Sequence, residues 1–527
     1  MKKTFLFFSL LLCIDIVFAQ TDDAAKYANI ITGENLKKHL IIIAGDEMGG
    51  RETGTEGQRR AAAYIETEFK NIGLIAPQAL KGYQQYYPLY TDSIAGSIVK
   101  INSNVLKFGT DYYMPVIGND PKKLKGKGTV FAGYGISEEK YDDYKGLDVK
   151  GKVVLFFLGE PKKNGKFVLS GNDKYSKYTY PGILTKMKIA KQKGAVAAIV
   201  INPAMQILSS NTVKVNSKSD MYFPGEGEEE KINYITLAHA AAKKIFPKWN
   251  IDSFVAQSKS ASPFAADKVL PLNTSFSFNY KKTRQLVNAS NVIGIIEGTD
   301  KKDEYVFLTG HYDHLGKKDG KIYYGADDDG SGTCAVLQMA AAFAKAKAEG
   351  KGPRRTIVFM TVSGEEKGLW GSEYYTDHPI FLLDKTSVDL NTDMVGRTDT
   401  ERKTDDTLNY VYVIGHNKLS SDLQGINEGE NKTHTQLVLD YRFDDPDDPN
   451  RIYFRSDHYN FARKGVPILF FYDGMLKADY HKPTDTVDKI NFALYEKRVR
   501  MIFHTAWAIA NRDEMLKRDI PLSEETR

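Results

Sequence analysis

Apolar positions along the chain follow two rhythms. In the first, Ala62, Ile65, Phe69 and Ile72 recur at helical spacing behind Thr55-Glu56-Gly57-Gln58, which reads as a capping box, and Gly73 supplies the stop. In the second, short apolar runs over 128–134, 152–158 and 195–201 read as strands, with one helix among them that shows Ile183, Leu184, Met187 and Ala190 on a face. The two rhythms then alternate. Strands are predicted over 288–296, 305–311, 387–390, 410–414 and 466–472, and a helix from Gly332 to about Lys347. Residues 355–362 form a near-continuous apolar run of the kind buried on both faces of a sheet. Val499, Ile502, Phe503, Ala506 and Ala510 give the last helix its apolar face. Strands that alternate with helices predict an α/β fold with a mostly parallel sheet flanked by helices. The loop Met48-Gly49-Gly50-Arg51-Glu52 reads as too polar and Gly-rich to be core.

Length and composition narrow the class. At 527 residues the chain exceeds one ordinary core, so two domains are expected. An apolar content of 42% and a charged content of 26% are those of a folded globular chain. The net charge of +5 is small for this length and no basic block occurs, so nucleic acid is not an expected partner. Met1-Lys2-Lys3, the apolar run 5–18 and Val17-Phe18-Ala19 before Gln20 predict a signal peptide over 1–19 and export to a periplasm or beyond. Leu12 before Cys13 weighs against a lipid anchor, and no other apolar run is long enough for a membrane span. With Cys13 in the leader, Cys334 stands alone, which excludes an internal disulfide and reads as a buried helix thiol.

The chemistry gathers where strands end. The run 305–308 leads into Thr309-Gly310-His311-Tyr312-Asp313-His314, and residues i and i+2 of a strand point to one side, so His311 and Asp313 can meet. Gly325-Ala326-Asp327-Asp328-Asp329-Gly330-Ser331-Gly332 follows as an acidic, Gly-rich turn into a helix. Glu365 and Glu366 follow the run 355–362, Asp393 follows 387–390, and His481 follows 466–472. Each alone is ordinary as a cap or a surface pair. Together, two imidazoles and at least three carboxylates without a thiolate suit zinc or a related divalent ion. The number of ligands favours two ions that share a carboxylate. Asp313 is then placed to hydrogen-bond the far ring nitrogen of His311, and Glu365 to act as general base. Asp444-Asp445-Pro446-Asp447-Asp448-Pro449 reads as a solvated loop.

These motifs resemble those of the M28 family of zinc peptidases. His311-Tyr312-Asp313, the run 325–332, the run 364–372, Asn391-Thr392-Asp393-Met394-Val395-Gly396 and Tyr480-His481-Lys482-Pro483-Thr484-Asp485-Thr486 carry the resemblance, together with Gly49-Gly50-Arg51-Glu52-Thr53-Gly54-Thr55. It implies a phosphorylase/hydrolase-like fold and two Zn2+, one held by His311, Asp328 and Asp393, the other by Asp328, Glu366 and His481. It further implies Glu365 as base, Tyr480 as oxyanion donor and a cis peptide at Asp328-Asp329. Residues near 115–260 resemble a small, β-rich protease-associated (PA) domain, inserted between peptidase segments 20–112 and 263–527 so as to occupy 113–262. Arg455-Ser456-Asp457-His458 is also familiar in the family and reads as pocket wall, while His314 falls outside the pattern.

The implied activity is removal of N-terminal residues from peptides. Three rivals share the fold: a glutamate-releasing carboxypeptidase, for whose substrate carboxylate no Arg can be assigned here; a glutaminyl cyclase with one zinc; and a receptor-like relative that has lost ligands. Retention of both His311 and Asp393 argues against the cyclase, and presence of the full ligand set argues against the receptor-like relative.

Overall fold

A computed structural model describes residues 23–224, 232–247, 249–264 and 271–522; the expected leader, with Cys13, lies outside them. The chain divides into two compact units, the first formed by Met1–Tyr87 and Asn288–Arg527, the second by Pro88–Val287.

In the first unit, helices α1 (Gly33–Ile43) and α2 (Glu56–Ile72) precede the sheet. The Thr55 side chain accepts from the Gln58 N–H and Gly73 closes α2 in the left-handed region, as the capping box predicts; such an N-cap contributes about 1 kcal/mol. The strands are β1 (Pro271–Ile296), β2 (Lys301–His311), β3 (Arg355–Val362), β4 (Thr386–Thr392), β5 (Tyr410–Ile414), β6 (Val438–Asp440) and β7 (Ile468–Tyr472). Helices α3 (Gly330–Ala348), α4 (Trp370–Asp377), α5 (Leu423–Glu430), α6 (His458–Arg463) and α7 (Phe492–Asn511) complete the unit. The strand order is β6-β5-β7-β4-β2-β3-β1. The β2/β3, β2/β4, β4/β7 and β5/β6 pairs are parallel, while β1/β3 and β5/β7 are antiparallel. Every residue of β3, β4, β5 and β7 is buried, which explains their continuous apolar character.

Register sets the site. His311 pairs with Val362 and Thr309 with Asn391. The carboxyl ends of β2, β3 and β4 therefore finish level, with Glu365 and Asp393 just beyond. A Cβ on Gly332 would lie 2.0 Å from the Thr392 carbonyl, so only glycine lets the start of α3 reach β4.

The segment expected to be too polar for core is buried. Arg51 is 0% exposed. Its guanidinium donates to the carbonyls of Tyr312 (2.7 Å), Ile43 (2.9 Å), Tyr324 (2.6 Å) and Gly325 (2.9 Å). A guanidinium with four of its five N–H groups bonded can stay inside, and here it ties the end of β2 to the entry of the acidic turn.

The second unit has its own core. Lys122–Phe131, Val153–Phe157, Ala197–Ile201 and Asn233–Leu237 form a parallel row, with helix Ile183–Gln192 in the connection between the second and third strands. Phe131 packs edge-on against Phe157, Trp249 and Phe254. This unit is wider than the expected 113–262. Val99 and Ile101 of strand Gln84–Ile101, and Phe276, Phe278 and Tyr280 of β1, are buried in its core. Leu184, expected on the buried face of its helix, is 53% exposed. Among the described residues no helix is long and apolar enough to cross a membrane.

Candidate metal centre

The eight predicted site residues converge within the first unit. His311 Nε2 lies 3.2 Å from Asp328 Oδ1, 3.6 Å from Asp393 Oδ1 and 3.8 Å from Glu365 Oε2. His481 Nε2 lies 3.1 Å from Asp328 Oδ2 and 3.0 Å from Glu366 Oε2. The two oxygens of Asp328 thus face two different histidines.

Local bonding holds this arrangement. Asp485 accepts from the Asp327 and Asp328 N–H groups, both at 3.1 Å to Oδ2. Asp329 accepts from the N–H groups of His311 (3.0 Å), Gly332 (2.7 Å) and Met394 (3.1 Å), which joins β2, α3 and the end of β4. The Asp328-Asp329 peptide is cis. Gly364, at φ +79°, turns the chain from β3 into the short helix Glu365–Lys367, which presents both glutamates.

Asp313 sits differently from expectation. His311 Nδ1 bonds the Asp313 carbonyl at 3.1 Å, and the carboxylate is 3.7 Å away. The carboxylate is engaged elsewhere: it accepts from the Thr53 hydroxyl at 2.6 Å and from the Glu365 N–H at 3.2 Å. Thr53 in turn accepts from the Gly364 N–H at 3.0 Å. Asp313 therefore fixes the turn that carries Glu365, while its backbone orients the imidazole.

His314 also enters the site. Its Nδ1 lies 2.7 Å from Glu366 Oε1 and 3.9 Å from Asp328 Oδ2. One three-residue convergence is His311, Glu365 and Asp393, and another is His314, Asp328 and Glu366. Sequence spacing gave no signal for this: His314 is three residues past His311, where a continued strand would turn it to the other face.

The electrostatics are those of groups held for an ion. Burial opposes charge on Asp328, but the neighbouring His311 and His481 imidazoles bring its carboxyl well below the usual range. Burial also opposes charge on His481, yet Asp328 and Glu366 lift it to about 10. Burial drives Glu365 well above an ordinary carboxyl, against the pull of His311. His311 Nε2, both ring nitrogens of His314, Asp328 Oδ2 and Glu366 Oε1 are buried without hydrogen-bond partners. Such atoms are costly unless something else satisfies them. Two imidazole nitrogens and carboxylate oxygens that aim at common points fit divalent metal.

The cleft beside these groups is lined by Asp328, Glu365, Asp393, Tyr480 and Arg455, with Met394, Ile452, Phe470, Tyr472 and Leu476 as its apolar part. Arg455 Nη2 donates to the Tyr480 hydroxyl at 2.9 Å. Asp457 and His458 lie deeper: Asp457 accepts from Ser372 Oγ at 2.5 Å, and His458 Nε2 meets the Tyr453 carbonyl at 2.9 Å. Cys334 is buried in α3.

A buried metal-type donor set at the carboxyl ends of parallel strands, beside an open cleft, is the layout of a metallohydrolase. Residues 291–506 match Peptidase family M28 and residues 116–244 match the PA domain, so the chain carries an M28-type peptidase region preceded by a PA-type region. It is 23% identical over 434 residues to a glutamate carboxypeptidase 2 homolog of Caenorhabditis elegans, covering 69% of this chain and 51% of that protein. It is 28% identical over 226 residues to a probable leucine aminopeptidase of Arthroderma otae, covering 42% of this chain and 57% of that protein. The chain spans about half the length, 51%, of the first curated relatives it matches. Among solved structures, the aminopeptidase from Aneurinibacillus sp. strain AM-1 aligns at 17% identity and a TM-score of 0.48, over 94% of this chain and 98% of that one.

Proposed function

We propose that this chain is an exported dizinc exopeptidase that releases N-terminal residues from peptides. The observation that carries this reading is Asp328, whose two carboxylate oxygens lie 3.2 and 3.1 Å from the Nε2 atoms of His311 and His481. A carboxylate so shared suits two ions better than one. His311, Asp328 and Asp393 would hold the first, and Asp328, Glu366 and His481 the second. Bound there, zinc would supply Lewis acidity toward a water and the scissile carbonyl.

The chain's own groups do the rest. Glu365 Oε2, 3.8 Å from His311 Nε2, faces the same space and is placed to take the proton of the attacking water and pass it to the leaving amine. Asp313 keeps Glu365 in position through its backbone N–H. The Tyr480 oxygen already accepts from Arg455, which leaves its own hydrogen free to donate to a developing oxyanion. Met394, Ile452, Phe470, Tyr472 and Leu476 offer an apolar side chain a place beside the reacting bond.

A second reading has one observation in its favour. Arg455 lines the cleft, where a guanidinium suits the free carboxylate that a carboxypeptidase must recognise. Cleavage of one short peptide in free, N-acetylated and C-amidated forms, with and without chelator, separates the two. Chelator-sensitive release that requires the free amine is expected. Release that tolerates acetylation but requires the free carboxylate would move the assignment to carboxypeptidase, and release unaffected by chelator would remove the metal mechanism.

A further inference from the structure

Away from the cleft, α5 runs without a break into a single π-helical turn, Asn431–Thr435. Such turns are rare and cluster at functional positions. This one carries His434 four residues after Glu430, with Nε2 of the imidazole 3.5 Å from Glu430 Oε2. His504 faces the pair from α7, its ring stacked on that of His434 with centroids 3.7 Å apart and planes within 1°. His504 is 4% exposed, and its Nδ1 is buried with no hydrogen-bond partner. One ligand atom from each of the three residues lies within 4.8 Å of the other two.

The geometry favours a ligand over a mere stack. A buried, unpartnered imidazole nitrogen on His504 belongs to the same tight cluster as a second imidazole and a half-buried carboxylate, and such a nitrogen is costly unless something satisfies it.

We propose that Glu430, His434 and His504 form a separate site for a divalent transition metal of the zinc type, which fastens the π turn onto α7. Nitrogen and carboxylate donors in this ratio suit Zn2+ and its neighbours, with a fourth position left to water. Two parallel rings cannot both point their lone pairs at one ion, so binding must rotate one of them. His434 is the ring assigned to rotate, since it sits on the turn with its side chain 11% exposed, whereas His504 is 4% exposed on α7.

The test is native mass spectrometry of the full chain titrated with Zn2+, in wild type, His434→Ala and Glu430→Gln. Each variant is expected to saturate one ion below wild type, and hydrogen exchange over 423–435 is expected to slow on zinc addition in wild type only. Glu430→Gln keeps the shape of the side chain, so loss of the ion there cannot be put down to misfolding. Equal saturation in all three proteins would overturn the proposal, as would unchanged exchange over 423–435 in wild type.

Discussion

Both units bury charge, and they treat it in opposite ways. In the second unit Lys186 is 0% exposed, and its ammonium donates to the carbonyls of Tyr134 at 2.6 Å and Gly159 at 2.5 Å. Asp143 there accepts from the N–H groups of Tyr134 and Ile136 and from the Tyr141 hydroxyl. Each charge is closed off by its own scaffold. In the first unit His311, His314 and Asp328 are buried and Glu366 is half-buried, but donor and acceptor atoms among them are aimed at one another and left open. A satisfied buried charge holds a fold together; a set of unsatisfied ones that share a focus marks a site. Arg51 shows that the distinction runs within a unit too, since it is saturated by carbonyls one turn away from the open groups.

The largest test of this contrast is Glu365→Gln. It removes a proton acceptor without changing shape, so turnover is expected to fall about 10²–10⁴-fold while metal content, read by mass spectrometry, stays at the wild-type number. Retained turnover would assign the open carboxylate no chemistry. Arg51→Met comes next. It takes a donor from four carbonyls, of which Gly325 keeps the Gly330 N–H, and with each of the other three costing roughly 1–3 kcal/mol the first unit should lose at least about 3 kcal/mol of stability, measured by denaturant melts of the metal-free chain. A loss under about 1 kcal/mol would show that saturation of Arg51 is not what holds the turn.

Much of the fold was legible because periodicity reports burial directly. The runs at 355–362 and 410–414 are strands with those limits, and α3 starts where the acidic turn ends. The long strand Gln84–Ile101 was missed, and of Pro271–Ile296 only 288–296 was predicted, although Phe276, Phe278 and Tyr280 alternate with polar residues as a half-buried strand should. Polar residues at 281–285 interrupt that rhythm and hide the continuity. The site residues were legible as strand ends. What spacing could not show is which buried polar groups are answered, as Arg51 is by four carbonyls and Asp313 by Thr53 and Glu365, and which stay open, as His314 does 2.7 Å from Glu366 Oε1. That last contact gives a third prediction. His314→Ala should weaken metal binding about 10–100-fold through the disordered Glu366 carboxylate, as measured by competition with a chelator, with His314→Gln restoring part of the loss.

The smallest expected effect probes the closed side of the contrast. Burial, opposed by Asp143 and Glu160, lowers Lys186 from 10.5 to about 7. Burial, opposed by its hydrogen bonds, raises Asp143 from 3.8 to about 6. Between pH 4 and 6 the folded state therefore binds the extra proton on Asp143, and stability from this group falls as pH rises. Between about 7 and 10.5 the unfolded state binds the extra proton on Lys186, so stability rises again, by at most about 1.4 kcal/mol per pH unit. The second unit should be least stable, as far as this pair decides, near pH 6–7. Because the two units need not unfold together, the readout is hydrogen exchange of strands 153–157 and 197–201, taken as the difference between wild type and Lys186→Met. The alkaline limb should vanish from the variant and the acidic limb remain. An alkaline limb that survives the substitution would mean the ammonium stays charged among its carbonyls, satisfied so fully that burial no longer shifts it, and the contrast with the open groups of the first unit would be sharper still.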